Sequence, residues 1–248
     1  MSNQPIVSWY EGTNELSKEV NYTVNYDTVD AASRSKTKIF YIWNNREQAT
    51  DAPKMEEVTF TTRDRSGGTG DSDGMVVEAV KNNWFHVRVD SLSESRFLPV
   101  GKGGNPLNPS GTKDLGTNGT TTNINASTAQ VWSAETAMTL DAYVQPTSSN
   151  DYIYKVTKAG TTGVTQPSWP TVEGNPIMDG TVEYIAIKIN KTPKAKEILG
   201  LANATNAEGT NADLAGGNFV KISVYADVPM DASAGKNLLM QRVSYRYV

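Results

Sequence analysis

The chain has 248 residues, no cysteine, a single histidine and a formal net charge of -4 with both signs interspersed. Disulfides, thiolate metal sites and thiol nucleophiles are thereby excluded, and no basic stripe exists to neutralise a run of phosphates, so nucleic acid is not an expected partner. Hydrophobic residues make up 38% of the chain, below the usual globular share, while Gly, Thr, Ser and Asn are spread throughout, a mixture that suits short strands joined by many turns.

Alternation at period two is the strongest local signal and marks strands. The first predicted strand carries Val20, Tyr22, Val24 and Tyr26 on one face. Lys38 to Trp43 is apolar on both parities, which predicts a central strand covered on both faces. Met55 to Arg63 supplies more strand formers in Val58, Thr59 and Phe60, and the polar stretch from Arg63 to Gly74 predicts an exposed hairpin or loop. Phe85, Val87 and Val89 alternate next, which assigns Trp84, His86 and Arg88 to the outer face. At Gly101 the composition changes to Gly, Asn, Thr, Pro and Ser as far as Thr128, too poor in apolar residues to fold alone, which predicts a linker or an extended arm lying on a neighbour.

An aromatic block follows, with Trp132, Tyr143, Tyr152, Tyr154, Trp169 and Tyr184. Thr192 to Leu199 is the best helix candidate, Thr192 serving as N-cap and Pro193 as the first helical residue, with an edge strand as the alternative. A second polar stretch runs from Ala202 to Gly217. Two alternating runs close the chain, first Val220, Ile222, Val224 and Ala226, then Val243, Tyr245 and Tyr247. No apolar run reaches the roughly 18 residues of a membrane span, and no leader pattern opens the chain, so the expectation is a soluble protein made in a cytoplasm.

The economical architecture is all-β and discontinuous. Residues 1–105 and 190–248 form one sandwich, 106–129 a linker or arm, and 130–189 a small β module inserted at a loop tip. No catalytic, cofactor-binding or metal-binding residue is expected. Every Ser-His-acid or histidine-metal scheme must pass through His86, which reads as a solvated residue on a strand. Glu173, Asp179 and Glu183 are the carboxylates a glycosidase would need, yet a turn aspartate and strand-surface glutamates account for them. Asp71 to Gly74, with Asp64 nearby, gathers oxygens as a calcium loop does but lacks the downstream glutamate, which favours a polar turn. In Pro167-Ser-Trp-Pro170 the prolines hold Trp169 rigidly, so its indole can stack on a sugar or pack in the core of a small unit that needs its aromatics. Trp169, Trp132, Tyr152, Tyr154 and Tyr184 are the candidate glycan-stacking residues.

The aromatic block contains Val131-Trp-Ser-Ala-Glu-Thr-Ala137, Tyr143-Val-Gln-Pro146, Tyr154 to Gly163, Gln166-Pro-Ser-Trp-Pro-Thr171 and Asp179-Gly-Thr-Val-Glu-Tyr184 in close succession. In that order they resemble the carbohydrate-binding-like β module of phage tail, fibre and other virion proteins, with Tyr184 where a Trp is common. Ile42-Trp-Asn-Asn45, Trp84 to Asp90, Ala226 to Gly235 and Val243 to Val248 resemble immunoglobulin-like sandwich proteins of phage particles. The resemblance implies one immunoglobulin-like β-sandwich split by the module. It also implies a homo-oligomeric or multicopy structural component of a bacteriophage virion, either a capsid decoration or a tail-associated protein, docking on capsid or tail subunits. A glycan-binding adhesin for host attachment is the alternative.

Overall fold

A computed structural model of the chain describes residues 4–71, 76–204 and 214–247. The chain passes through β1 (Val7–Glu11), β2 (Ser33–Arg34), β3 (Lys38–Asn44), β4 (Glu56–Asp64), one helical turn α1 (Glu78–Lys81), β5 (Phe85–Val89) and β6 (Leu98–Val100). Short strands follow: β7 (Lys113–Asp114), β8 (Thr121–Thr122), β9 (Gln130–Val131), β10 (Ala137–Met138) and β11 (Tyr143–Gln145). Next come β12 (Tyr152–Lys158), β13 (Gly160–Thr161), β14 (Pro176–Asp179), β15 (Val182–Lys188) and β16 (Asn190–Lys191), before β17 (Phe219–Val228) and β18 (Leu239–Arg246) complete the fold.

The larger sheet has the order β1-β3-β17-β5-β6, antiparallel throughout, with β2 added at the end of β17. A smaller sheet, β18-β4-β7, completes the sandwich. Phe40, Ile42, Val87, Val220, Ile222 and Val224 from the larger sheet share one core with Val58 and Phe60 of β4. On the opposite face of β3, Trp43 packs with Tyr10 and Phe219, so this strand is covered on both sides as its double-parity sequence predicts.

A third sheet, β14-β15-β12-β11-β9, is drawn wholly from the aromatic block and closes over its own core of Met138, Val144, Tyr154, Val156, Val182 and Tyr184. The chain enters this unit beside where it leaves it, because β8 pairs with β16 through Thr121↔Lys191 and Thr122↔Asn190.

The fold departs from the sequence expectations at several points. The Val20–Tyr26 run is extended but unpaired: Val20 N donates to Trp9 O at 2.8 Å, and among the described residues 21–29 make no backbone-to-backbone hydrogen bond. Val20, Val24 and Tyr26 rest on the core, as does Val29 of the opposite parity, whereas Tyr22 on their own parity stays 55% exposed with its hydroxyl donating to Glu11 Oε2, so without a ladder the alternation is kept only in part. Trp84 lies in the core instead of on the outer face, because Asn83 at φ +55 turns the chain and the parity of β5 does not extend back across it. No helix forms at Thr192–Leu199. Lys196 takes φ +61, and Ile198 exchanges backbone hydrogen bonds with Met55, burial of Ile198 outweighing weak helical propensity.

The stretch from Gly101 to Thr128 is fastened to its own chain. Leu115 is buried in the core, β7 pairs with β4, and Asn108 Nδ2 donates to the carbonyls of Pro99 and Thr112, both at 2.8 Å. Gly119 serves close approach: a Cβ on it would lie 2.3 Å from the carbonyl oxygen of Gly216. The polar loop after β4 leads across to the other sheet, so it is no hairpin.

Candidate functional site

The aromatic unit is built around β12 and β15, whose alternation sends Tyr154, Val156, Val182 and Tyr184 inward. Trp169 reaches this core from the proline-framed loop. Its ring centroid lies 4.2 Å from that of Tyr154 at an interplanar angle of 34°, and 5.5 Å from that of Tyr184 at 72°. The Tyr154 hydroxyl donates to Pro170 O at 2.8 Å and accepts from Asn150 Nδ2 at 2.7 Å, which pins the same loop. Burial pushes the Tyr154 phenol above its ordinary range, against a lowering effect of the Asn150 hydrogen bond.

Trp132 is held by a different device. Its Nε1–H donates to Asp179 Oδ2 at 2.7 Å, and Gly163 N donates to Asp179 Oδ1 at 2.8 Å. Asp179 is buried at the end of β14, where Gly180 at φ +61 opens the two-residue turn into β15. Burial, with the nearby Asp179 charge as the lesser cause, pushes Tyr184 up to about 12. The Tyr184 hydroxyl and the Trp169 indole nitrogen are both buried without a hydrogen-bond partner among the described residues.

The sequence-predicted stacking residues therefore converge. Tyr154 and Tyr184 are fully buried, whereas Trp132, Tyr152 and Trp169 are partly buried against the same core. The three carboxylates do not form a pair facing a cleft. Glu173 bonds Lys191, Glu183 bonds Lys158, and Asp179 is engaged by Trp132 and Gly163. His86 lies on the outer face of the larger sheet, its ring stacked on Tyr225 at 5.2 Å and its Nδ1 3.0 Å from Trp84 O.

No family model, no curated protein and no solved structure matches this chain.

Oxygens near the suspected calcium loop are already committed to the fold. Asp64 accepts from Ser66 N, Ser66 Oγ, Gly68 N and Gly70 N, which makes it the organiser of its own turn. Asp71 bonds Lys102, whose hydrogen bond is the main cause holding its carboxyl below the ordinary range. Residues 72–74 of that candidate loop lie outside the described residues, and among the described residues no three His, Asp or Glu are grouped to hold a metal ion.

A groove of about 1330 Å³ opens between the strap and the sandwich, with Trp9, Phe40, Trp84 and Phe85 from the body and Leu239 and Gln241 from β18 in its lining. It had no signal in the sequence. The strap's alternation points to a paired strand, and nothing in the residues themselves distinguishes a paired strand from one that rests on the core without a ladder.

Proposed function

We propose that this chain is a non-enzymatic structural component of a bacteriophage particle, a capsid decoration or tail-associated protein. Its sandwich docks on other virion proteins while the aromatic unit is displayed outward. The observation that carries the reading is the β8–β16 ladder: it joins the incoming and outgoing chain of a unit that has its own sheet and its own core. Such attachment suits a satellite carried on a docking body. The ordered aromatic motifs and their resemblance to virion modules support the same reading. The protein is made in the host cytoplasm and incorporated in many copies.

Mass spectrometry of purified particles, with immunogold microscopy, tests this. The chain is expected as a stoichiometric particle component with its label on the outer surface; its absence from particles sinks the reading. Host-glycan recognition is the second reading, favoured by Trp132 and Trp169 remaining only partly buried at the surface of the unit. A broad glycan array probed with the intact chain decides it, no response being the result that removes it.

A further inference from the structure

β18 is an outer strand of the smaller sheet, pairing with β4 on one side and with no strand on the other among the described residues. The ladder shifts register between Ser244↔Thr59 and Arg246↔Glu56, so the extra residue belongs to β4, where Glu57 takes φ +51. β18 itself stays regular. Leu239 and Val243 pack on the core, and Tyr245 and Tyr247 continue their parity beyond it, 36% and 46% exposed with rings 6.4 Å apart. Met240, Arg242, Ser244 and Arg246 occupy the other face. Natural sheets rarely leave a regular, aromatic-bearing edge uncovered.

We infer that β18 pairs antiparallel with β18 of a second copy about a two-fold axis at Val243, joining the two smaller sheets into one. Only axes at Arg242 and Val243 keep most of β18 paired, and charge chooses between them. An axis at Arg242 sets that residue against itself, and an axis at Ser244 sets Arg242 against Arg246. The axis at Val243 instead places Arg242 opposite Ser244 and Arg246 opposite Met240, so no two cations face each other. The groove supplies the second argument. The same register places Tyr245 opposite Gln241 and Tyr247 opposite Leu239, and Gln241, which donates to the Tyr26 hydroxyl of the strap, and Leu239 line the groove. The exposed tyrosines of each copy thus lie at the β18 rim of the other's groove. This inference deepens the assembly reading and rests on it for its setting.

The chain has no cysteine, so Val243→Cys introduces a single thiol, and the axis brings the two thiols within disulfide reach. Mild oxidation is expected to give covalent dimers of Val243→Cys on non-reducing gels, and far less of Met240→Cys, whose register partner is Arg246. Equal cross-linking of the two variants overturns the axis. In analytical ultracentrifugation the unmodified chain is expected to self-associate at micromolar concentration, and a strict monomer overturns the interface. Ser244→Arg sets a cation against Arg242 and is expected to weaken association about tenfold or more, with folding checked by circular dichroism; unchanged association by the folded variant also overturns it. Particle composition is measured separately, so self-association and virion incorporation fail independently.

Discussion

Trp132 and Asp179, 47 residues apart in the chain, meet through an indole-to-carboxylate hydrogen bond of 2.7 Å. The other oxygen of the same carboxylate receives Gly163 N, so one buried side chain at the end of β14 fastens two other segments of the aromatic unit. Asp179→Ala removes the acceptor for both donors and is expected to lower stability by about 2–4 kcal/mol, charged hydrogen bonds and stranded donors being the costly kind. Asp179→Asn keeps one acceptor oxygen and should lose less. Urea denaturation checks both, and an unchanged midpoint for Asp179→Ala would remove the clamp.

Tyr154 and Tyr184 sit in one core yet differ in what their hydroxyls do. Tyr154 holds Pro170 and Asn150, so Tyr154→Phe is expected to cost about 1–2 kcal/mol. The Tyr184 hydroxyl is buried without a partner among the described residues, so Tyr184→Phe should be neutral or stabilising, by up to about 1 kcal/mol. Thermal unfolding of the two variants side by side is the measurement. A larger loss for Tyr184→Phe would mean that its hydroxyl makes a stabilising bond after all.

These aromatics mark how far the sequence reaches. The alternation in β5 and β17 is legible because each strand is buried on a face that its own residues define, and β3 is legible because it is apolar on both parities and covered on both faces. Partners are not legible. Val20–Tyr26 has the same alternation as β17, and only the fold decides that one is a ladder centre and the other a strap. Trp84 escaped because a single left-handed residue at Asn83 reset the parity. The motif around Trp169 marks a proline-framed indole, while its packing against Tyr154 and Tyr184 is a tertiary fact that spacing does not encode.

Composition points at Gly101–Thr128 to a linker or an extended arm lying on a neighbour, whereas the stretch is fastened to its own chain. If Asn108 is a staple, Asn108→Ala should destabilise the fold by about 1–3 kcal/mol through the lost donor to Pro99 and Thr112. Gly119→Ala should be at least as damaging, since its Cβ would meet the Gly216 backbone. A genuine arm would tolerate both changes, and unaltered melting of the two variants would restore that reading.

Alkaline titration tests the buried phenols. Burial is the main cause raising both Tyr184, to about 12, and Tyr26, further still. A raised phenol favours the protonated, folded state, so its contribution is complete below about pH 10, the unfolded value, and is lost as pH rises through the folded one. Stability should therefore fall above about pH 10. Tyr26→Phe and Tyr184→Phe should each shift the alkaline unfolding midpoint upward, as followed by circular dichroism; a midpoint indifferent to both substitutions would assign alkaline unfolding to other groups.

Amide hydrogen exchange separates strap from strand. Among the described residues the backbone of 21–29 lacks backbone partners, whereas β17 is paired on both sides by β3 and β5. Exchange across Asn21–Val29 should be fast under native conditions, and β17 should exchange only near the global unfolding limit. The side chains still matter, because Tyr26 accepts from Gln241 Nε2 and packs edge-on against Phe85 with centroids 5.0 Å apart. Tyr26→Ala should then expose the groove, raising binding of a hydrophobic dye without unpairing β17. Slow exchange throughout 21–29 would instead show that the strap carries ladder hydrogen bonds, returning it to the strand that its alternation suggests.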